Sequence, residues 1–204
     1  MFGKVAADML GLSDVGSVIK PEDYNKVDAD DYVMHEDQEK IYFLIKSKTD
    51  EYCFTNLALI HLDGTSAMSK KRTLRRLSYS THPISNVLME TAGTVDLDVE
   101  LKFSMGGIAY SIDVHKKFIE DVKDIYKSLL RIAEISHENE IALNQAGQSL
   151  NLASTALGRG TPKEVDLAGQ FKALNQAAFD WLTDARKQYH LKDYGFVFER
   201  YIGR

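Results

Sequence analysis

The sequence predicts an α+β protein: short antiparallel strands, then an amphipathic helix that closes them, then a helical extension. Three observations carry this. Val95, Leu97, Val99, Leu101 and Phe103 alternate with Asp96, Asp98, Glu100, Lys102 and Ser104, the period of a strand with one face on a core and one in water. Gly106-Gly107 makes a turn, after which Ile108, Tyr110, Ile112 and Val114 alternate again, which specifies a hairpin. From Phe118 the period changes: Phe118, Val122, Ile125, Leu129 and Ile132 form one helical stripe, and charged residues fill the opposite face.

The other elements follow in order. Phe2, Val5, Ala6, Met9 and Leu12 recur at helical spacing ahead of the Gly11–Gly16 turn region, so a short helix is expected to cap the core, with an interfacial membrane helix as the alternative. Lys20 to Asp31 is polar and acidic, with Pro21 at a first helical position; a short helical turn and a loop are expected. Ile41 to Ile45, Tyr52 to Thr55 and Leu57 to Leu62 are apolar, β-branched or aromatic runs, and Asp63-Gly64 reads as a closing turn. Lys70 to Tyr79 and Ile84 to Met89 complete the strands.

Beyond His137 the composition turns to Asn, Gln, Ala and Ser, and Gly158-Arg159-Gly160 breaks the chain. Thr161, Pro162 and Glu164 form a helix-start signature. Leu167, Phe171, Leu174, Ala178, Trp181 and Ala185 make a second stripe, so the extension is read as a helical hairpin. The end, with Tyr194, Phe196, Val197, Phe198, Tyr201 and Ile202, is too apolar to be left free and is expected to dock on its own chain or on a neighbour.

Composition bounds the function. The 204 residues are 44% hydrophobic and 27% charged, ordinary for a globular protein. Acidic residues number 30 against 25 basic ones, a net charge of −5, which argues against a nucleic-acid partner. The single cysteine, Cys53 between Tyr52 and Phe54, reads as a buried strand thiol, and a chain without intramolecular disulfides fits the cytoplasm. No stretch is apolar enough to cross a membrane, and Met1 to Leu12 lacks the core and cleavage site of a signal peptide. His35, His61, His82, His115, His137 and His190 show no metal-ligand spacing, and neither a phosphate-cradling loop nor a nucleophile elbow occurs. No cofactor, metal or catalytic residue is predicted.

Two charged strands are the candidate binding residues. Lys70, Lys71, Arg72, Arg75 and Arg76 form a basic run in an acidic protein. Guanidinium groups take phosphate bidentately, so a lipid headgroup or anionic partner suits them; charges that protect an edge strand suit them equally. Asp96, Asp98 and Glu100 share one face of their strand. They read as a solvated face, a cation or acid–base site, or a surface that pairs with the basic run of another subunit.

Phe54-Thr55-Asn56, the basic strand, and Met89-Glu90-Thr91-Ala92-Gly93 leading into Asp96-Leu97-Asp98 and Glu100-Leu101-Lys102 resemble the bacterial pleckstrin-homology (PH) domain family over Met1 to Ile135. The remainder is similar to the helical extension of YvbH-like members. The resemblance implies a partly open barrel of two near-orthogonal antiparallel sheets capped by a C-terminal helix, ring-like homo-oligomers and no catalytic activity. Lys46 and Lys48 precede the first hairpin turn, but Tyr52-Cys53-Phe54 stands where phosphoinositide-binding relatives carry basic residues, and the helix Lys116 to Ile135 lacks their tryptophan.

The expectation is therefore a bacterial PH-like domain at 1–136 and a helical extension at 137–204. Its expected role is a cytoplasmic, non-enzymatic binding and assembly module. It partners itself through charged strand surfaces and the extension, together with an unidentified protein. Peripheral recognition of anionic lipid headgroups is the alternative.

Overall fold

A computed structural model describes residues 14–64, 72–91, 98–158 and 166–202. The N-terminal helix expected over Met1 to Leu12 lies outside these residues, as do Thr161, Pro162 and Glu164.

Among the described residues, eight strands form two antiparallel sheets. The first is a meander of β1 (Ser17–Val18), β2 (Ile41–Lys46), β3 (Asp50–Thr55), β4 (Ala58–Gly64) and β5 (Arg72–Ser78). The second pairs β6 (Ile84–Thr91) with β7 (Asp98–Met105), and β7 with β8 (Ile108–His115). Gly106 and Gly107 take φ of 60° and 78°, the left-handed pair that a two-residue hairpin requires, and Met105 sits opposite Ile108. Gly16 links the sheets: its amide donates to the Asp113 carbonyl at 2.7 Å and its carbonyl accepts from His115 at 2.9 Å. The sheets are open, and the architecture is α+β with C-terminal helices, as predicted.

Asp63-Gly64 does not form a turn. Both residues stay in β4, opposite Thr73 and Arg72. The Gly64 amide donates to the Thr49 carbonyl at 3.0 Å, and a Cβ there would stand 2.6 Å from that oxygen. Glycine is present for close approach of two backbones.

The first sheet is covered on both faces, which explains why β2 and β4 read as continuous apolar runs. One face meets the second sheet: Phe54 of β3 lies 6.2 Å from Phe103 of β7, and Phe103 stacks on Tyr110 of β8 at 4.9 Å. On the other face Leu44, Cys53, Ile60 and Leu62 pack under Val27, Ala29 and Val33. These three come from a strap of 3-10 turns at Pro21–Lys26, Asp28–Tyr32 and His35–Asp37, where a helical turn and a loop were expected. Cys53 is fully buried in its strand, and burial pushes its thiol pKa up.

Helix α1 (Ile119–Gly158) carries the predicted stripe, with Val122, Ile125, Leu129 and Ile132 fully buried. It runs on without a break through the compositional change at His137. Ala, Gln and Leu beyond that point favour helix and offset the weaker Asn and Ser. Helix α2 (Leu167–Tyr189) starts at Asp166, whose carboxylate accepts the Gly169 amide at 3.0 Å. Helix α3 (Gly195–Tyr201) ends the described chain.

The chain forms two compact units, residues 1–134 with 192–204, and residues 135–191. The apolar C-terminus thus docks on its own chain, one of its two expected destinations. In the second unit, Trp181 Nε1 of α2 donates to the Ala146 carbonyl of α1 at 3.2 Å, which pairs the two helices as a hairpin.

Candidate interaction surface

Strand alternation divides the basic run. Arg72 and Arg76 of β5 fall on the strap side, and Arg75 on the opposite face. Arg72 pairs with Asp28 of the strap at 2.5 Å and approaches Glu51 of β3 at 3.7 Å. Arg76 pairs with Glu39 at 2.9 Å, and Arg75 with Asp63 at 2.9 Å. All three have partners inside the chain. Lys70 and Lys71 lie outside the described residues.

The acidic strand is likewise engaged. Asp98 and Glu100 project from the outer face of β7, while Val99, Leu101, Phe103 and Met105 are buried. Glu100 pairs with Lys102 at 2.8 Å and accepts the Ser111 hydroxyl. Those two hydrogen bonds, Lys102 first, hold its carboxyl below the ordinary range. Lys102 also reaches Glu90 of β6 at 2.9 Å. Asp113 stands directly opposite Glu100, and burial together with the charges of Glu100 and Asp98 raises its pKa. Asp96 lies outside the described residues. Among the described residues no cluster of His, Cys, Asp and Glu could hold a metal ion.

Two carboxylates that sequence reasoning missed anchor the strap. Glu51, 1% exposed, accepts the Ala29 amide at 2.8 Å and bonds Lys46. Glu39, equally buried, accepts the Met34 amide at 2.8 Å, the Thr55 hydroxyl at 2.5 Å and Arg76. Arg76, and at longer range Arg72, thus face buried acids, which a sequence pattern does not reveal.

The second unit presents a different surface. Along α2, Phe171, Leu174, Ala178, Trp181 and Ala185 form the predicted stripe, and Phe179 and Leu182 widen it around the helix. A single partner helix cannot cover that width: Phe171 remains 73% exposed, Phe179 65% and Trp181 52%. On α1, Ile141 and Leu152 recur on one side about three turns apart, and Leu152 is 72% exposed. The stripe was legible in the sequence; its exposure was not.

No helix among the described residues is long and apolar enough to cross a membrane. Residues 9–133 match the model of the Bacterial PH domain, and residues 144–203 match that of the YvbH-like oligomerisation region. The chain is 62% identical, over 99% of its own length and 99% of the relative's, to the uncharacterized protein YvbH of Bacillus subtilis (strain 168). It is 55% identical to a PH-domain-containing bacterial protein of Exiguobacterium sibiricum 255-15 known from a crystal structure; that match has a TM-score of 0.86 and covers 93% of this chain and 100% of the other. The PH-like fold is a non-enzymatic type of module, and the second match supports self-association. On these grounds the chain belongs to the bacterial PH domain family and joins a PH-like unit to a YvbH-like oligomerisation region.

Proposed function

We propose that this protein is a non-enzymatic assembly module whose copies join through the apolar face of the α1–α2 hairpin. The observation that carries this reading is the exposure of Phe171, Phe179 and Leu152 on a unit that matches an oligomerisation region. Burying one large apolar side chain contributes about 1.5–3 kcal/mol, whereas an exposed ion pair contributes about 0–1 kcal/mol. The apolar face therefore drives association. The charged strand surfaces align the copies, with the outer acids Asp98 and Glu100 meeting basic groups of a neighbour.

Light scattering across a dilution series tests this. Wild-type chain is expected at a multiple of the chain mass. Phe171→Glu combined with Phe179→Glu is expected at a smaller mass with unchanged circular dichroism, since both side chains point to solvent in the single chain. Wild-type protein at single-chain mass throughout overturns the reading. Sedimentation with anionic vesicles at low salt addresses the lipid alternative, because binding there that salt abolishes would make the basic strand, and not the hairpin, the primary surface.

A further inference from the structure

The match to the oligomerisation region extends to residue 203, yet the last helix packs elsewhere. We infer that the β unit carries a specific docking site for residues 193–199, that the chain's own C-terminal helix is its ligand, and that the hairpin between them is an insertion anchored at both ends.

The site is assembled from β2, the β3–β4 turn and the end of β5. Asn56 is its polar centre. Its carbonyl accepts the Tyr194 amide at 2.8 Å, and its side-chain amide donates to Asp193 at 2.7 Å. Its own side-chain oxygen is fixed by the Lys40 amide at 2.8 Å. Tyr42 supplies a second contact: its hydroxyl donates to Glu199 at 2.8 Å, and its ring stacks on Phe198 at 5.3 Å. Tyr79, buried at the end of β5, meets Tyr194 edge-on at 5.7 Å.

The ligand is equally specific. Tyr194, Val197 and Phe198 are buried, and the rings of Tyr42 and Tyr79 pack on Phe198 and Tyr194. Gly195 passes so close that a Cβ would stand 2.8 Å from the Tyr42 hydroxyl. A residue larger than glycine would have to displace the Tyr42 hydroxyl, and with it the bond to Glu199. Hydrogen bonds at each end and aromatic rings between them constitute recognition, which nonspecific collapse of an apolar tail would not produce. Self-association then belongs to residues 135–191, and residues 192–202 belong to the PH-like unit.

Hydrogen exchange on the full chain, read by mass spectrometry over β2, β3 and residues 192–202, tests the inference without depending on how many copies assemble. In the wild type, the tail amides bonded within α3 are expected to exchange at the slow rate of β2 and β3, as one cooperative unit. Tyr42→Phe removes one hydrogen bond and leaves the ring, so tail exchange should quicken about three- to tenfold. Phe198→Ala should quicken β2 and β3 exchange at least about tenfold; failure of this variant to fold, with Tyr42→Phe folded, is the same result in stronger form. Tail amides that exchange more than about tenfold faster than β2 and β3, or a Tyr42→Phe chain with unaltered tail exchange, overturn it.

Discussion

The Glu51 carboxylate and the Ala29 amide are joined at 2.8 Å beneath the strap, and both residues are buried. The bond fixes a polar, acidic segment onto the apolar outer face of the first sheet, where Cys53, Ile60 and Leu62 pack under Val27 and Val33. Glu51→Ala leaves the Ala29 amide without its acceptor and Lys46 without its anion. The expected loss is about 3 kcal/mol, read as a lower urea midpoint at neutral pH. A midpoint equal to wild type would show that the strap is held by apolar packing alone.

How far the sequence discloses this fold depends on which faces water touches. The β7–β8 hairpin was legible because one face is polar, so Val99, Leu101 and Phe103 stand out against Asp98, Glu100 and Lys102. The strap was not, because Val27, Ala29 and Val33 are isolated apolar residues among acids, and their value comes from the sheet beneath them. The basic run was visible, but strand alternation sends Arg72 and Arg76 to one face and Arg75 to the other, and the buried acids Glu51 and Glu39 that face Arg72 and Arg76 come from other segments. The tail was recognisable as apolar; its receptor was not, since Tyr42, Asn56 and Tyr79 come from separate segments.

Arg75 and Arg76, adjacent in sequence, should respond very differently to charge reversal. Arg76 faces Glu39, whose side chain is fully buried, so Arg76→Glu places a second carboxylate beside a buried one. The expected cost is about 3–5 kcal/mol. Arg75 pairs with Asp63 near the surface, where the expected change for Arg75→Glu is about 0–1 kcal/mol. Chemical denaturation of the two single variants measures this. Arg75→Glu is consequently the sound probe of charged-surface assembly, and equal losses in the two variants would contradict the face assignment.

Trp181 is the sole tryptophan of the chain, and in the single chain half of it is exposed while its indole N–H bonds the Ala146 carbonyl. If copies join through the hairpin, assembly buries this ring. Its fluorescence emission should move to the blue as concentration rises, in step with the mass from light scattering. Emission that stays constant while mass increases would move the contact away from α2.

Asp50 and Asp113 should respond to acid in opposite directions. At Asp50, burial works to raise the pKa, but hydrogen bonds from His61 at 3.1 Å and Thr49 at 2.5 Å, with the charges of His61 and Arg75, outweigh it and hold the carboxyl below its ordinary value. A depressed folded-state pKa contributes stability above the unfolded value, lost as pH falls through the folded one. Asp50→Asn should therefore be less stable than wild type at neutral pH, and the gap should close on acidification. Asp113 is raised by burial and by Glu100 and Asp98, so its ionised form destabilises the fold above its folded pKa, and protonation relieves this. Because Asp113 stands directly opposite Glu100, Asp113→Asn should stabilise the protein at neutral pH by about 0.2–1 kcal/mol, and that advantage should vanish as pH falls. Thermal melts of the three proteins from neutral to acidic pH separate the two behaviours, and a stability gap of the same sign and pH slope for both variants would show that Asp113 has no unfavourable neighbour in solution.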